Sequence, residues 1–228
     1  MIVACILLIA GFFLQFYRDP EREIPQQEGI IVSPADGKVI EIGSVKAGEI
    51  PLVEKNGIKN PLPELVGYIE TEMTLVVIFM NPFDVHVNRA PLSGTIRKIT
   101  HVPGKFMSAS TPVYSINERN VSVIEGEGRV VVIQVAGMFV RRIRFYKHEG
   151  DIVERGERIG MIVFGSQVVA IFPEKYDVVV SVGDKVYAGE TILASNSKPS
   201  SLIFISSSSS TPLVSSSITR ARCATPTY

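Results

Sequence analysis

The stretch EGDIVERGERIGMI (residues 149–162) decides the fold, because VGDKVYAGETILAS (residues 182–195) repeats its pattern. Each copy has a Gly-Asp pair, an apolar residue two positions later, a Gly-Glu pair and an apolar run, and Gly150 and Gly183 are 33 residues apart. Gly-Asp predicts a tight turn, and the second glycine of each copy predicts another backbone position with positive φ. The sequence therefore predicts two copies of one turn-and-strand element.

Paired elements of this type resemble the half-motifs of biotinyl/lipoyl-like barrel-sandwich hybrids. Gly165 and Ser166 lie between the two copies, where such a carrier domain has its exposed hairpin. No lysine stands there to carry a prosthetic group. A non-catalytic, membrane-tethered barrel-sandwich module is therefore an alternative that lacks its essential residue.

The rest of the chain from residue 28 consists of short Val/Ile-rich runs separated by Gly, Pro and Asp. GIIVSPADGKVIEIGSV (residues 29–45) predicts strand, turn and strand, and NVSVIEGEGRVVVIQVAG (residues 120–137) continues the pattern. We expect a mostly β protein with a barrel-sandwich-hybrid-like core over residues 18–197. The Ser-rich segment 198–228 is predicted to be a low-complexity, disordered tail.

The bulk composition excludes some functions. The 228 residues include 23 Lys and Arg and 23 Asp and Glu, so the formal net charge is zero. Such a balance argues against general nucleic-acid binding, which needs a basic surface. Cys5 and Cys223 lie near opposite ends and lack metal-ligand spacing, so we expect no metal site and no disulfide framework. A reducing location facing the cytosol is the expectation.

The amino-terminal stretch MIVACILLIAGFFLQF (residues 1–16) carries no charge. It is shorter than the about 20 apolar residues that span a bilayer, and it lacks the features of a secretory signal. We expect residues 1–17 to be an apolar, membrane-associated anchor helix, and the alternative is a buried first helix on the β core. A chain that began upstream of Met1 would allow a full spanning helix. In the anchor interpretation, Arg18 and Arg22 of YRDPER are expected to meet lipid phosphates.

The apolar stretch GMIVFGSQV (residues 160–168) contains the Gly165-Ser166 pair. Glycine weakens a strand, and a bulge between two strands is the simple local explanation. A serine-hydrolase nucleophile is not indicated, because the stretch lacks the G-x-S-x-G elbow and its strand-to-helix context.

The chain has three histidines, of which His86 lies in MNPFDVHVNRAP (residues 80–91). Asp84, His86 and Asn88 share one face if this segment is extended. We expect His101 and His148 to lie near the surface. On local evidence Asp36, in SPADGKV, is an ordinary turn aspartate.

Several fragments together carry a stronger signal: FYRDPER (16–22), VSPADGKV (32–39), NPFDVHVNRAP (81–91), HVPGKF (101–106) and FGS (164–166). In this order they resemble the short form of the phosphatidylserine decarboxylase family, including archaetidylserine decarboxylases. The resemblance runs from about residue 16 to residue 195. It implies a pyruvoyl-dependent enzyme that acts on a serine-headgroup phospholipid at the cytoplasmic face of the cell membrane.

The resemblance also implies the origin of the cofactor. Ser166 Oγ attacks the Gly165 carbonyl in an N-to-O acyl shift, and β-elimination followed by hydrolysis leaves a covalent pyruvoyl group at residue 166. The products are a chain that ends at Gly165 and a chain that begins at the modified Ser166, and together they form a heterodimer. The amine of the substrate then forms a Schiff base with the pyruvoyl group, carbon dioxide leaves and the carbanion is reprotonated.

The chain departs from the family pattern at one catalytic position. By resemblance Asp36 matches the aspartate of a Ser-His-Asp triad and His86 matches the first histidine of an HxxH pair, but Arg89 stands at the second. Either His86 is both the base of self-cleavage and the proton donor of decarboxylation, or strain and backbone donors activate Ser166. Arg89 is predicted to bind the phosphate or carboxylate of the substrate through its planar fork, or to pair with Asp84.

Overall fold

Our computed structural model of the protein describes residues 1–46, 52–55, 58–61, 65, 67–69, 71–104, 117–137, 142–163 and 166–196. Residues Met1–Ser197 form one compact unit. Gly165 and the predicted tail 198–228 lie outside the described residues.

The described residues form one helix and a series of strands. The helix is α1 (Ile2–Phe16), and the strands are β1 (Ile30–Val32), β2 (Gly37–Val45), β3 (Leu52–Lys55), β4 (Ile58–Pro61), β5 (Met73–Met80), β6 (Val87–Arg89), β7 (Gly94–Val102), β8 (Arg119–Gly126), β9 (Arg129–Val135), β10 (Arg142–Phe145), β11 (Ile152–Val153), β12 (Arg158–Val163), β13 (Ser166–Pro173), β14 (Asp177–Val178), β15 (Lys185–Val186) and β16 (Ile192–Ser195). The prediction of a mostly β chain is confirmed, and the finer assignment to a barrel-sandwich hybrid stays a prediction.

The main sheet has eight strands in the order β11-β7-β8-β9-β13-β5-β2-β15, and every neighbouring pair is antiparallel. Its central strand β13 is buried on both faces. Val168, Ala170 and Phe172 pack in one apolar cluster, and Val169 and Ile171 pack in a second cluster on the opposite face. Side chains alternate across a strand, so a continuous apolar run is what a strand between two cores requires.

Three smaller sheets complete the β structure, with the orders β1-β16-β14, β10-β12-β6 and β3-β4. The β10-β12-β6 sheet carries the part of the chain that leads to Ser166, because β12 ends at Val163. The backbone N–H of Ile162 in β12 donates to the carbonyl oxygen of His86 at 3.1 Å, which places His86 beside the end of this strand.

The two repeat copies form equivalent turns. The first glycines, Gly150 and Gly183, have φ of 95° and 106°, and their N–H groups donate to Ile96 and Val39 carbonyl oxygens at 2.8 Å. The second glycines of the copies, Gly156 and Gly189, have φ of 81° and 79°. The prediction of positive φ at these glycines is confirmed. One copy adds β11 to β7 and the other adds β15 to β2, so the repeat forms both edges of the main sheet.

Helix α1 confirms the prediction of an amino-terminal helix, and its association with a membrane stays a prediction. Its last residue, Phe16, is fully buried and packs with Met161 and Val163 of β12. The earlier turns leave large apolar side chains exposed, namely Ile2, Val3, Ile6, Leu7, Leu8, Ile9, Phe13 and Leu14. Among the described residues, no helix has the length and apolar character needed to cross a membrane.

Candidate active site

Ser166 is the first residue of β13, and its side chain is fully buried. It pairs in register with Met80 at the end of β5, and Ser166 Oγ donates to Met80 Sδ at 3.2 Å. A thioether sulfur is a weak acceptor, so this contact binds the hydroxyl proton only weakly. Ser166 is therefore held in a dry position without a strong acceptor for its hydroxyl.

Met80 Sδ also ends a chain of buried amides. Asn120 Nδ2 donates to Gln134 Oε1 at 3.2 Å, and Gln134 Nε2 donates to Asn88 Oδ1 at 2.8 Å. Asn88 Nδ2 then reaches Met80 Sδ at 3.9 Å. All these side chains are buried, and buried amides with satisfied partners hold a single arrangement. The amide chain therefore fixes Met80, the residue that contacts Ser166.

The fold leaves room for this amide chain at Gly160. A Cβ atom at this position would lie 2.9 Å from Gln134 Nε2 and 2.6 Å from the carbonyl oxygen of Arg144. Contacts this short do not occur, so any larger residue at 160 would displace the amide or the neighbouring strand. Gly160 is thus required by the close approach of β10 and Gln134.

His86 is fully buried beneath the end of α1. Its ring lies 4.3 Å from the Phe16 ring, measured between centroids. His86 Nδ1 is 2.9 Å from the carbonyl oxygen of Asp84, which can only accept, so Nδ1 carries the proton. Nε2 then carries a lone pair, and this buried atom has no hydrogen-bond partner among the described residues. Burial lowers the pKa of His86 from 6.5 to about 4, so the ring is neutral at pH 7 and its Nε2 can accept a proton.

The free energy of unfolding should fall as the pH drops from about 6.5 to about 4, because the pKa of His86 is lower in the folded chain than in the unfolded chain. Above about pH 6.5 the ring is neutral in both the folded and the unfolded chain, so its contribution to the free energy of unfolding is fully present. Between about pH 6.5 and 4 the unfolded chain binds the proton more readily, so up to about 3 kcal/mol is lost. The test uses Ser166→Ala as the background, because this variant should stay one chain. The free energies of unfolding at pH 7 and pH 4.5 are compared between this variant and the double variant Ser166→Ala/His86→Gln. Equal pH dependence in the two variants would contradict the assignment.

Asp36 is held by partners that the sequence did not indicate. Its carboxylate accepts two hydrogen bonds from Arg22 Nη2, at 3.0 and 2.9 Å, and one from the Ala188 backbone N–H at 2.8 Å. Burial raises the pKa of Asp36, while the Ala188 N–H and the Arg22 guanidinium act in the opposite direction. The expectation that Arg22 meets lipid phosphates is wrong, because its guanidinium is buried against Asp36.

Arg89 is also engaged within the protein. Its guanidinium donates to the carbonyl oxygens of Gly156 and Pro20, at 2.9 and 3.1 Å, and to Asp19 Oδ1 at 3.0 Å. The alternative ion pair with Asp84 is wrong, because Asp84 pairs with Lys185 instead. Substrate binding by Arg89 stays a prediction, although its buried guanidinium already has partners.

The structure of the uncleaved chain does not assemble a triad. Among the described residues, no hydrogen bond joins Ser166, His86 and Asp36 to one another. Each predicted side chain is nevertheless buried, and His86 and Ser166 flank the end of β12. The expected exposure of the other histidines is confirmed, since the side chains of His101 and His148 are 53% and 89% exposed.

Within the part of the chain that the structure describes, no group of three or more His, Cys, Asp and Glu side chains is placed to hold a metal ion.

The sequence analysis missed the amide chain, although one signal was present: Gln134 interrupts the apolar run VVVIQV. A lone polar residue within a strand buried on both faces requires a buried partner.

Comparisons with known proteins identify the family of the chain. The family model described as Phosphatidylserine decarboxylase matches residues 9–194. A protein of Methanothermobacter thermautotrophicus with the provisional name archaetidylserine decarboxylase proenzyme is 44% identical over 187 residues, covering 82% of this chain and 81% of that protein. A Methanocaldococcus jannaschii protein with the same provisional name is 44% identical over 195 residues, covering 85% and 93%.

The phosphatidylserine decarboxylase proenzyme of Oleidesulfovibrio alaskensis is 41% identical over 191 residues, covering 82% of this chain and 79% of that protein. The chain belongs to the phosphatidylserine decarboxylase family and is therefore a decarboxylase. The resemblance found in the sequence is confirmed, and the alternative of a non-catalytic barrel-sandwich module loses its support.

Proposed function

We propose that the chain is a proenzyme that cleaves itself between Gly165 and Ser166 and then decarboxylates phosphatidylserine or archaetidylserine to the ethanolamine phospholipid. The observation that carries this proposal is the position of Ser166. It is a buried serine that follows a glycine at the start of a central strand, and within the described part of the chain its hydroxyl has a thioether as its hydrogen-bond partner. The relatives of the chain are named decarboxylase proenzymes, and this name supports self-cleavage of this chain as well.

The surroundings of Ser166 fit a pyruvoyl group. Conversion of serine to pyruvoyl removes Oγ and turns Cβ into a methyl group. The neighbour of Oγ is Met80 Sδ, a soft and polarisable atom that contacts a methyl group as well as a hydroxyl. Among the described residues, loss of Oγ therefore leaves no oxygen or nitrogen acceptor without its donor. Once formed, the group supplies the electron sink that decarboxylation of an amino acid requires.

The residues of the chain account for the cleavage chemistry. Ser166 Oγ attacks the carbonyl carbon of Gly165, and the C–N bond breaks as the ester C–O bond forms. Removal of the Ser166 α-proton then expels the Gly165 carboxylate from Cβ, and water replaces the nitrogen, which leaves as ammonia. We assign proton acceptance to His86 Nε2, because its lone pair is buried, carries no competing hydrogen bond and lies beside the end of β12.

The proposed substrate sets the proposed location, which is the cytoplasmic face of the cell membrane. A phospholipid headgroup lies at the membrane surface, and α1 exposes an apolar surface next to the site. Full burial of each large apolar side chain contributes roughly 1.5–3 kcal/mol, so a few inserted residues give tight binding to a bilayer.

The direct test is the product of the purified chain. Intact mass should show fragments of residues 1–165 and 166–228, with the second fragment lacking a terminal amine. The cleaved protein should release carbon dioxide from phosphatidylserine or archaetidylserine vesicles. A cleaved protein that releases no carbon dioxide from either lipid would contradict the proposed activity.

Removal of the exposed turns of α1 should separate membrane delivery from chemistry. The truncation should begin at Phe12 so that Phe16 still covers His86. We expect a folded, self-cleaved product that turns over a short-chain, detergent-dispersed substrate normally and a bilayer-embedded substrate at least about tenfold more slowly. The measurement is carbon dioxide release from both substrate forms.

A matched variant of the full-length chain, Phe16→Ala, should slow turnover of both substrate forms equally, because it uncovers His86 and leaves the exposed turns in place. Equal activity of the truncated and complete chains on bilayers would contradict the anchor.

A further inference from the structure

A cavity of about 280 Å³ lies where α1 meets the β10-β12-β6 sheet. Its lining is formed by Tyr17, Arg142, Arg144, Met161 and Val163. Tyr17 is the residue that ends α1, and Val163 is the last residue of β12 before the Gly165-Ser166 pair. The cavity therefore joins the exposed apolar helix to the segment that carries the reactive serine.

The two arginines of this cavity differ from the other arginines of the described chain. Arg142 and Arg144 are exposed, and neither side chain has a hydrogen bond or ion pair among the described residues. Every other described arginine has at least one polar partner: Arg18, Arg22, Arg89, Arg97, Arg119, Arg129, Arg155 and Arg158. The cavity thus holds two cations that no acidic side chain of the described segments neutralises.

The strand geometry directs both guanidinium groups to one side. Arg142 and Arg144 alternate along β10 with Ile143 and Phe145, which pack against the core. Residues two apart on a strand lie roughly 7 Å apart on the same face. In register, Arg142 lies opposite Val163 and Arg144 opposite Met161. Two long, charged side chains can therefore converge on one anion beside the end of β12.

The apolar part of the same lining indicates which anion this is. Met161 and Val163 also contact Phe16, which continues along α1 into its exposed apolar surface. A ligand in this position meets cations at the mouth of the site and an apolar path along the helix. A phospholipid has this distribution of charge, with a phosphodiester between its acyl chains and its headgroup. A free inorganic anion would gain nothing from the apolar side.

We propose that Arg142 and Arg144 bind the phosphodiester of the substrate lipid, an assignment that rests on the proposed function. A guanidinium fork matches phosphate oxygens in a bidentate way. The acyl chains then lie along α1 and the serine headgroup points towards residue 166. The assignment also supplies phosphate ligands in place of Arg22, whose guanidinium is buried against Asp36.

The test compares the double variant Arg142→Gln/Arg144→Gln with a control of equal charge loss, Arg97→Gln/Lys98→Gln on β7. Both control residues are exposed and lie outside the cavity lining, and their ion pairs in the described part of the chain are with surface glutamates. The substrates are monomeric dihexanoyl phosphatidylserine and O-hexylserine, a serine ether without phosphate. Intact mass first verifies self-cleavage of every protein, and carbon dioxide release then gives kcat/KM.

We expect kcat/KM of the double variant for the phosphodiester substrate to fall about 10- to 100-fold, since each lost charged hydrogen bond costs up to about tenfold. Its value for O-hexylserine should change less than about twofold, as should both values of the control variant. Equal losses on both substrates would show a structural role and overturn the assignment, and so would no loss.

A second measurement does not depend on turnover or on a variant that folds. Phenylglyoxal should modify Arg142 and Arg144 of the wild-type chain, and dihexanoyl phosphatidylglycerol should protect them, whereas dihexanoylglycerol should not. Protection by inorganic phosphate at the same concentration would indicate a free-anion site and overturn the lipid assignment. Protection by the phospholipid in a chain that releases no carbon dioxide would retain the lipid site and contradict only the decarboxylase proposal.

Discussion

Replacement of Ser166 by alanine is expected to leave a single chain of 228 residues that has no decarboxylase activity. Alanine lacks the hydroxyl that attacks the Gly165 carbonyl, so neither the cleavage nor the pyruvoyl group can form. Activity should fall by at least about 10³-fold, as expected when a reacting group is removed. The buried site should tolerate the change, because the hydrogen bond of Oγ to Met80 Sδ is weak. Intact mass and carbon dioxide release measure the two effects.

Ser122→Ala is the matched control for this experiment. Ser122 is also a fully buried strand serine, and its Oγ donates to the carbonyl oxygen of Val132 at 3.3 Å. The control should cleave itself and turn over substrate, with only a modest loss of stability of about 1 kcal/mol. A Ser166→Ala chain that still splits at the same bond would sink the proposed mechanism.

Replacement of His86 by alanine is expected to lower kcat of decarboxylation by about 10²- to 10⁴-fold, the usual contribution of a general acid or base. Its Nε2 is buried and carries no competing hydrogen bond among the described residues, and its low pKa keeps this atom unprotonated at pH 7. The extent of self-cleavage is measured separately by intact mass. Cleavage without turnover would limit His86 to the second reaction, and loss of both would assign it to both.

The other two histidines provide the controls. His101→Ala and His148→Ala remove exposed imidazoles, which lie 3.6 Å from Glu118 and 3.7 Å from Asp151. Both variants should cleave and turn over substrate within about twofold of the unaltered chain. Normal turnover of His86→Ala under the same conditions would exclude His86 from the site.

The strands and turns could be predicted from the sequence because their signals are local. Val/Ile runs and the Gly-Asp turns report the backbone of the residues that contain them, and the positive φ values of the repeat glycines agree with this. The burial of the candidate site residues was harder to predict from the sequence. Asp36 has the sequence of an ordinary turn, yet its carboxylate is buried against Arg22, which comes from a segment before the first strand.

The partners of the site residues could not be predicted because they join distant parts of the chain. Arg89 meets Asp19, and Gln134 meets Asn88, across separations that no periodicity encodes. The cavity at Arg142 and Arg144 has the same origin: it exists only because α1 returns onto β12. Such contacts are determined by the packing of helices and strands against one another, whereas a local sequence pattern determines only where each helix or strand forms.

Under the proposed self-cleavage, the strand order makes maturation a one-way process. Strand β13 lies between β5 and β9 and begins at Ser166, so the fragment that starts there supplies the middle of a sheet whose other strands belong mostly to the larger fragment. Before cleavage, folding is unimolecular. Afterwards the two fragments must find each other, so recovery from unfolding depends on protein concentration. We therefore expect the lifetime of the cleaved enzyme to be governed by its rate of unfolding, because the covalent link is needed only for the first folding.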